Sequence, residues 1–465
     1  MAVEAKDRLS SLPDDILITI LSRLPLPCTI VTGFLSTRWR GLWTNLTINL
    51  EDYTFENIPE FLTVLDNIIV QIKSPKIEGF SVDLGHLIWH SHWKPSIDSW
   101  FDQLGGCNIR KFKVIWPSLM RQIFPKLPEF IFQSQSLVSL ELNSKFDWRL
   151  PDRFDALNLK NLSITFRVTG YHEWVGKLIR ACPLLEELSL TSDWGHDIYI
   201  ECLNPNLRRS IKNIGFRRDD LKIVINSPNI KYLAVRVPNC VTFSFVEDPV
   251  MLREAKIEIL RQLCAITRAD DENRLLSELY GAISNVVILS LDVFALRNTS
   301  TVFRYATRLT VDMKTSNDIQ TVFNFLDFCP SLDVLTLRFC HTGRVYNKWI
   351  LLPKPYKANT LRGVNIEIYG DTYCKPVNFL ELIEYLLSNF VDLAHFTYNL
   401  ANCGGRDTGN VKLKQTREFQ LCRLLYRCQP ASTGCEAEFI GKYVKMSRKA
   451  GSTVPIAYGK FIPDH

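Results

Sequence analysis

The sequence predicts an α/β solenoid, an irregular horseshoe of short strand-bearing repeats preceded by a small three-helix module and closed by an α+β cap. Three observations carry this. A phrase of six positions, apolar-x-x-apolar-x-apolar, recurs through the middle of the 465-residue chain. A proline-bounded amphipathic segment stands near the N-terminus, and a helix-then-strand unit follows the last clear repeat. The length exceeds what one ordinary core fills. A composition of 46% apolar and 22% charged residues is globular, which excludes disordered and collagen-like chains.

The N-terminal segment reads LPDDILITILSRLPLP from Leu12. Leu12, Ile16, Leu17, Ile20, Leu21 and Leu24 recur at the spacing of one helix face. Pro13 suits a first turn, Asp14 and Asp15 favour the positive end of the helix dipole, and Pro25 with Pro27 predict the stop. A second short apolar segment, Cys28 to Leu35, and a third, with Leu35, Trp39, Leu42, Trp43 and Leu46 at helical spacing, complete three small helices. So short a segment does not bury enough surface to fold alone. Ile18, Leu26, Ile30, Val31 and Phe34 lie outside the stripes, so this surface must meet either the rest of the chain or a partner, and helix-in-groove docking is an ordinary use of such a face.

This run resembles the F-box, the adaptor-docking module of Skp–cullin–F-box ubiquitin ligases, over about residues 8 to 48. Leu12-Pro13-Asp14-Asp15 matches the opening LPDD, Ile16-Leu17 and Ile20-Leu21 the paired apolar positions, Leu24-Pro25 the stop, and Ser36, Arg38-Trp39-Arg40 and Leu42-Trp43 the closing SxRWRxLW. Pro27-Cys28 replaces the Lys-Asp or Lys-Glu usual in related plant sequences, a departure that bears on adaptor affinity. The resemblance implies that Leu12, Pro13, Asp14, Ile16, Leu17, Ile20, Leu21, Leu24, Pro25, Trp39 and Trp43 divide between the module's own core and an interface with a Skp-type adaptor, and through it with cullin and RING subunits. Sequence alone leaves open which residue serves which side.

The repeated phrase starts clearly at Leu137, Leu159, Leu185, Ile230, Val286, Leu332 and Leu361, and more weakly at Ile77, Ile109, Ile211, Leu252 and Ala306. The mean spacing is about 26 residues, inside the leucine-rich-repeat range of about 20 to 29. Alternate strand residues point oppositely, so stacked strands bury Leu140, Leu142, Leu188, Leu190, Leu335 and Leu337. Ser139, Glu141, Asn143, Glu187, Ser189, Arg236, Arg308 and Arg338 then face outward as the candidate target-binding surface. Lys111 and Asp292 are also placed outward, and no ligand cluster is legible among them. The phrases ACPLLEEL, NSPNIKYL and FCPSLDVL share a proline that ends the preceding element, which makes Cys182 and Cys329 one small buried structural position. A closed globular domain does not account for that shared phrase.

After Asn359 the chain reads as a strand, then a helix with Leu380, Ile383, Leu386, Leu387 and Phe390 on one side, then a strand-like end and a Gly-rich break. This order resembles the FBD domain over about residues 358 to 440. Leu361 to Ile368 stands for its first strand, Glu384-Tyr385-Leu386-Leu387 for its helix phrase, and Ala431-Ser432 through Cys435-Glu436-Ala437-Glu438-Phe439 for its close, with Gln429-Pro430 in place of the usual Pro-Arg. The expected organisation is an F-box at 8–50, a leucine-rich-repeat region at 51–357, an FBD-like region at 358–440 and a basic tail at 441–465.

Thirteen cysteines, an odd count dispersed through a large chain, read as reduced thiols. No phosphate loop, GxSxG elbow or HExxH occurs. His86, His90 and His92 lack a further ligand at metal spacing, and Cys422, Cys428 and Cys435 lack the close pairs of zinc sites. No metal, no cofactor and no catalysis are expected. From Ala401 onward eleven Lys or Arg face five Asp or Glu, which accounts for the whole net charge of +6 and argues against a nucleic-acid face. Neither a membrane span nor a signal peptide is legible; the longest apolar run, Val286 to Leu296, is short and carries Asp292. A cytoplasmic and/or nuclear location follows. The resemblance implies a substrate-recognition subunit of a Skp–cullin–F-box ubiquitin ligase, holding an unknown target protein on its repeat face. The competing reading is a leucine-rich-repeat scaffold or small-molecule sensor whose N-terminal helices act as a cap.

Overall fold

The computed structural model describes residues 9, 11–24, 26–34, 38–39, 41–42, 46–51, 58–72, 76–83, 94–115, 130–143, 157–166, 173–192, 198–214, 221–239, 241–260, 269–297, 299–315, 318–341, 360–370, 377–401, 411–428, 430–449 and 456–457. The elements in chain order are α1 Asp14–Leu21, α2 Leu26–Val31, β1 Thr47–Glu51, α3 Ile58–Gln71, β2 Lys76–Asp83, α4 Lys94–Leu104, β3 Asn108–Ile115, α5 Phe130–Gln133, β4 Ser139–Asn143, β5 Asn161–Phe166, α6 Glu173–Arg180, β6 Glu187–Ser192, β7 Ile198–Leu203, β8 Arg209–Ile214, β9 Leu221–Asn226, β10 Tyr232–Pro238, β11 Val241–Phe245 and β12 Glu254–Leu260. They continue with α7 Ala269–Ala282, β13 Ile288–Asp292, α8 Val293–Arg297, β14 Arg308–Met313, α9 Ile319–Phe325, β15 Val334–His341, β16 Gly363–Gly370, α10 Val377–Asn389, β17 His395–Asn399, α11 Val411–Leu425, β18 Glu436–Ile440, β19 Lys445–Lys449 and β20 Ile456–Ala457. The chain forms two compact units, one of residues 1–230 and 241–247, the other of residues 231–240 and 248–465.

In the first unit β1, β2, β3, β4, β5, β6 and β8 pair in parallel, in that order. The register aligns the repeated phrase with itself, Phe80 on Phe112, Leu140, Leu162 and Leu188, and Val82 on Val114, Leu142, Ile164 and Leu190. All are buried, as are the leading Ile77, Ile109, Leu137, Leu159 and Leu185. Each such side chain stabilises the stack by about 1.5–3 kcal/mol. Asparagines before the leading position tie each repeat to the last: Asn158 Nδ2 donates to Gln135 O at 2.6 Å, Asn206 Nδ2 to Pro183 O at 2.8 Å and Asn229 Nδ2 to Pro205 O at 2.9 Å.

The start expected at Ile211 lies instead at Leu207, because β8 pairs Leu188 with Ser210 and Leu190 with Lys212. Ile211 is half-buried on the outer face, whereas Ser210 and Lys212 occupy the core positions, which hid the phrase from an apolar count. Around this repeat the returning segments β7, β9 and β11 form a parallel sheet of their own instead of helices. A strand covers about 3.3 Å per residue against 1.5 Å for a helix, so these returning segments span the repeat with few residues.

In the second unit β10, β12, β13, β14, β15, β16, β17 and β18 form the same parallel ladder, with Leu289, Leu309, Leu335, Val364 and Phe396 aligned and buried. The ladder ends on antiparallel β19 and β20. α10 buries Phe379, Leu382, Ile383, Leu386 and Leu387, followed by Phe390, while Leu380, expected on that side, is half-buried. Cys182 and Cys329 are both buried, and burial pushes each thiol up to about 12. The histidine segment 86–92 lies outside the described residues.

Candidate functional site

The first helix sorts its apolar residues by side. Leu17 and Leu21 are fully enclosed, whereas Ile16, Ile20 and Leu24 are 47%, 37% and 40% exposed. Leu12 is half-buried, Pro13 and Asp14 are exposed, and Trp39 is buried with Leu42 and Leu46. Pro25 and Trp43 lie outside the described residues. Pro13 precedes the helix with an extended backbone, and its carbonyl accepts from the Ile16 and Leu17 N–H groups at 3.1 Å. Buried Thr29 of α2 donates through Oγ1 to Leu21 O and Leu24 O at 3.3 and 3.4 Å, which holds the two helices together without covering the exposed side.

Two expectations about this module change. Pro27 belongs to the first turn of α2, where a missing N–H is harmless, rather than only stopping α1. Of the segment expected as a third helix, the described residues Arg38, Trp39, Gly41 and Leu42 adopt turn and 3-10 rather than α-helical geometry, consistent with a glycine inside so short a segment. Leu9 and Val31, outside the predicted docking set, are 47% and 59% exposed and add to the uncovered apolar surface of the module.

The candidate target-binding residues stand on the strand face opposite the core in each unit. In the first unit Ser139, Glu141 and Ser189 are half-buried and Asn143 and Glu187 exposed, with Glu141 paired to Lys113 Nζ at 3.1 Å. In the second, Arg236 and Arg308 are exposed and Arg338 is half-buried. Arg236 pairs with Glu258 at 3.1 Å, and Arg338 with Glu367 at 2.8 Å. Asp292, expected outward, is instead buried. β13 runs straight into α8, so its carboxylate turns in to accept the Ala295 N–H at 3.0 Å and the Ile259 N–H at 3.2 Å, with Lys314 Nζ 3.4 Å away. Burial holds the Asp292 carboxyl above its ordinary range against these favourable bonds. Sequence reasoning passed over Lys256, Asp312 and Glu367, which the repeat register alone places on the same face.

Among the described residues no three or more His, Cys, Asp or Glu side chains are grouped to hold a metal, and no helix is long and apolar enough to cross a membrane. Residues 9–51 match the family model of the F-box domain. Over most of its length the chain has homologues named F-box/FBD/LRR-repeat proteins. The Arabidopsis thaliana protein At5g22660 is 24% identical over 449 residues, covering 90% of this chain and 95% of its own. A second, At3g52680 of the same plant, is 24% identical over 460 residues, covering 94% and 96%. The FBD-associated F-box protein At4g10400, also from Arabidopsis thaliana, is 29% identical over 261 residues, covering 54% and 61%.

Proposed function

We propose that this chain is the substrate-recognition subunit of a Skp–cullin–F-box ubiquitin ligase, the role in which F-box proteins generally act. Pro13, Ile16, Ile20 and Leu24, with Leu9 and Val31, form the patch that packs on a Skp-type adaptor, while Leu17, Leu21 and Trp39 form the core that holds it in shape. Asp14 sets the helix start and Leu12 borders the patch, while Pro25 and Trp43 belong to the same docking module on the strength of the sequence motif alone. The adaptor brings cullin and RING subunits. The domain limits that fit this reading are an F-box at 8–50, a leucine-rich-repeat horseshoe at 51–357, an FBD-like cap at 358–440 and a basic tail at 441–465. The outward strand faces, with Ser139, Glu141, Asn143, Glu187, Ser189, Arg236, Arg308 and Arg338, hold a target protein. The chain makes no bonds itself, and works in the cytoplasm, the nucleus or both.

The observation that supports this reading is the split within one helix, where neighbouring apolar side chains are fully enclosed or about two-fifths exposed. Helices that served only as a cap for the repeats would turn that second side inward. The test is capture of a purified Skp-type adaptor by the full chain. Ile16→Asp with Ile20→Asp should abolish capture while the circular-dichroism melt is retained. Capture equal to wild type sinks the reading.

A further inference from the structure

The second unit carries one outward row in which charges meet across neighbouring strands: Arg236, Glu258, Asp292, Asp312, Arg338 and Glu367 on β10, β12, β13, β14, β15 and β16. Most of the row is settled internally. Arg236 takes Glu258, and Arg338 takes Glu367, whose Oε2 also accepts Tyr369 OH at 3.0 Å. Asp292 is turned inward beside Lys314. Asp312 is the exception, because it makes no ion pair within 4.0 Å among the described residues although it is half-buried. Lys256 and Arg338 face it and favour its charged form, Glu258 and Glu367 oppose that form, and burial opposes it most, so the carboxyl is held above its ordinary range.

Next to Asp312 the adjacent row on the face away from the core is short and uncharged from β13 to β16, with half-buried Ser290, Thr310 and Asn365, buried Thr336, and Lys256 of β12 at its end, Asn365 Nδ2 donating to Thr336 Oγ1 at 3.2 Å. Short side chains let another backbone come close to the sheet. Four strands at about 4.8 Å separation present a track near 14 Å, the length of about four extended residues. A carboxylate half-withdrawn from water, with no cation within 4.0 Å among the described residues, gains most from a cation brought by a partner, whereas a partner carboxylate would stand among Glu258, Asp312 and Glu367.

We propose that Asp312 receives a lysine or arginine side chain from an extended segment of the target, laid across β13 to β16 over the Thr310, Thr336 and Asn365 row. This rests on the reading of the outward face as the target-binding surface and gives it a specificity.

The experiment selects a phage-displayed random 12-residue peptide library on the immobilised full chain, as wild type and as Asp312→Asn. Selected peptides are then titrated by fluorescence polarisation, each beside a version with its lysine or arginine replaced by glutamine. On wild type the selected peptides should share a basic residue, and the glutamine version should bind at least about tenfold more weakly. Against Asp312→Asn, with an unchanged thermal melt, that difference should fall to within about twofold. An equal loss against both proteins, peptides without a shared cation, acidic peptides, or no enrichment at all overturns the proposal. The adaptor plays no part in this measurement, so failed adaptor capture beside a retained Asp312 coupling would remove the ligase reading and leave the peptide site standing.

Discussion

The Asp14 carboxylate at the start of α1 accepts from Arg38 Nε at 2.9 Å, so the first and last parts of the N-terminal module are joined across its surface. The pair is well exposed, at 40% for Arg38 and 57% for Asp14. Exposed pairs contribute at most about 1 kcal/mol and are screened by salt. Arg38→Ala should therefore shift a urea unfolding curve by less than about 1 kcal/mol, and by less still in 0.5 M salt, the salt level being chosen for screening. A loss of several kcal/mol would show that Arg38 holds the module's fold rather than trimming its surface.

Adjacent residues on α1 separate stability from docking. Leu21 is enclosed and Ile20 is not, so Leu21→Ala should cost about 2–5 kcal/mol and Ile20→Ala about 0.5 kcal/mol or less. In adaptor capture the order reverses in specificity: Ile20→Ala weakens binding of a fully folded chain, while Leu21→Ala weakens it only in proportion to unfolding. Thermal melts beside capture titrations check both. Equal melting losses would contradict the division of the helix.

How far the sequence could be read depends on which signal each element carries. The stripe in α1 and the phrase at Leu137, Leu159, Leu185, Leu332 and Leu361 are periodic patterns of apolar residues, and strands and helix appear where those patterns place them. Periodicity cannot assign residues within an apolar helix to core or surface, because Ile16 and Leu17 look alike until neighbours are in place. It also fails where polar residues hold core positions, as Ser210 and Lys212 do, and where a helix cap turns an outward residue inward, as at Asp292. Asp312 stands out only once the register shows which of its neighbours already have partners.

Lys212 is buried in the β8 core position opposite Leu190, and its Nζ has no hydrogen-bond partner among the described residues; the Ser210 and Ser192 hydroxyls on the same face also lack one. Removing a buried group of this kind in favour of an apolar side chain of similar length is neutral to stabilising. Lys212→Met should raise stability by about 1–3 kcal/mol in urea melts. A loss of that size would mean that the ammonium is compensated.

Asp292 gives a pH dependence with a definite sign. Its folded carboxyl is held above its ordinary range by burial, so the native state binds the proton more tightly than the unfolded chain does. Its contribution to stability is then fully present below the unfolded value near ~4 and is lost as pH rises through the folded value. Asp292→Asn keeps an acceptor for the Ala295 N–H without the titration. The stability of wild type relative to Asp292→Asn should increase on going from neutral to acid pH in paired urea melts. A relative stability that falls on acidification would show that Lys314 and the two N–H groups outweigh burial.

At the closing end of the ladder, buried Glu418 of α11 grips the turn between β18 and β19. Its Oε1 accepts the Lys442 N–H at 3.1 Å, and its Oε2 accepts the Tyr443 and Val444 N–H groups at 2.9 and 3.0 Å. The carboxylate can reach them because residue 441 is glycine: a Cβ there would lie 2.2 Å from Oε2. Gly441→Ala must therefore displace the carboxylate or the turn, at about 1–3 kcal/mol. Glu418→Ala leaves three backbone donors without their acceptor and should cost at least as much. Since both changes break one contact, the double variant should be less destabilised than the two losses added together, by at least about 0.5 kcal/mol in a thermodynamic cycle. Additive losses would mean that the turn keeps its shape without the carboxylate and that Gly441 is needed for some other reason.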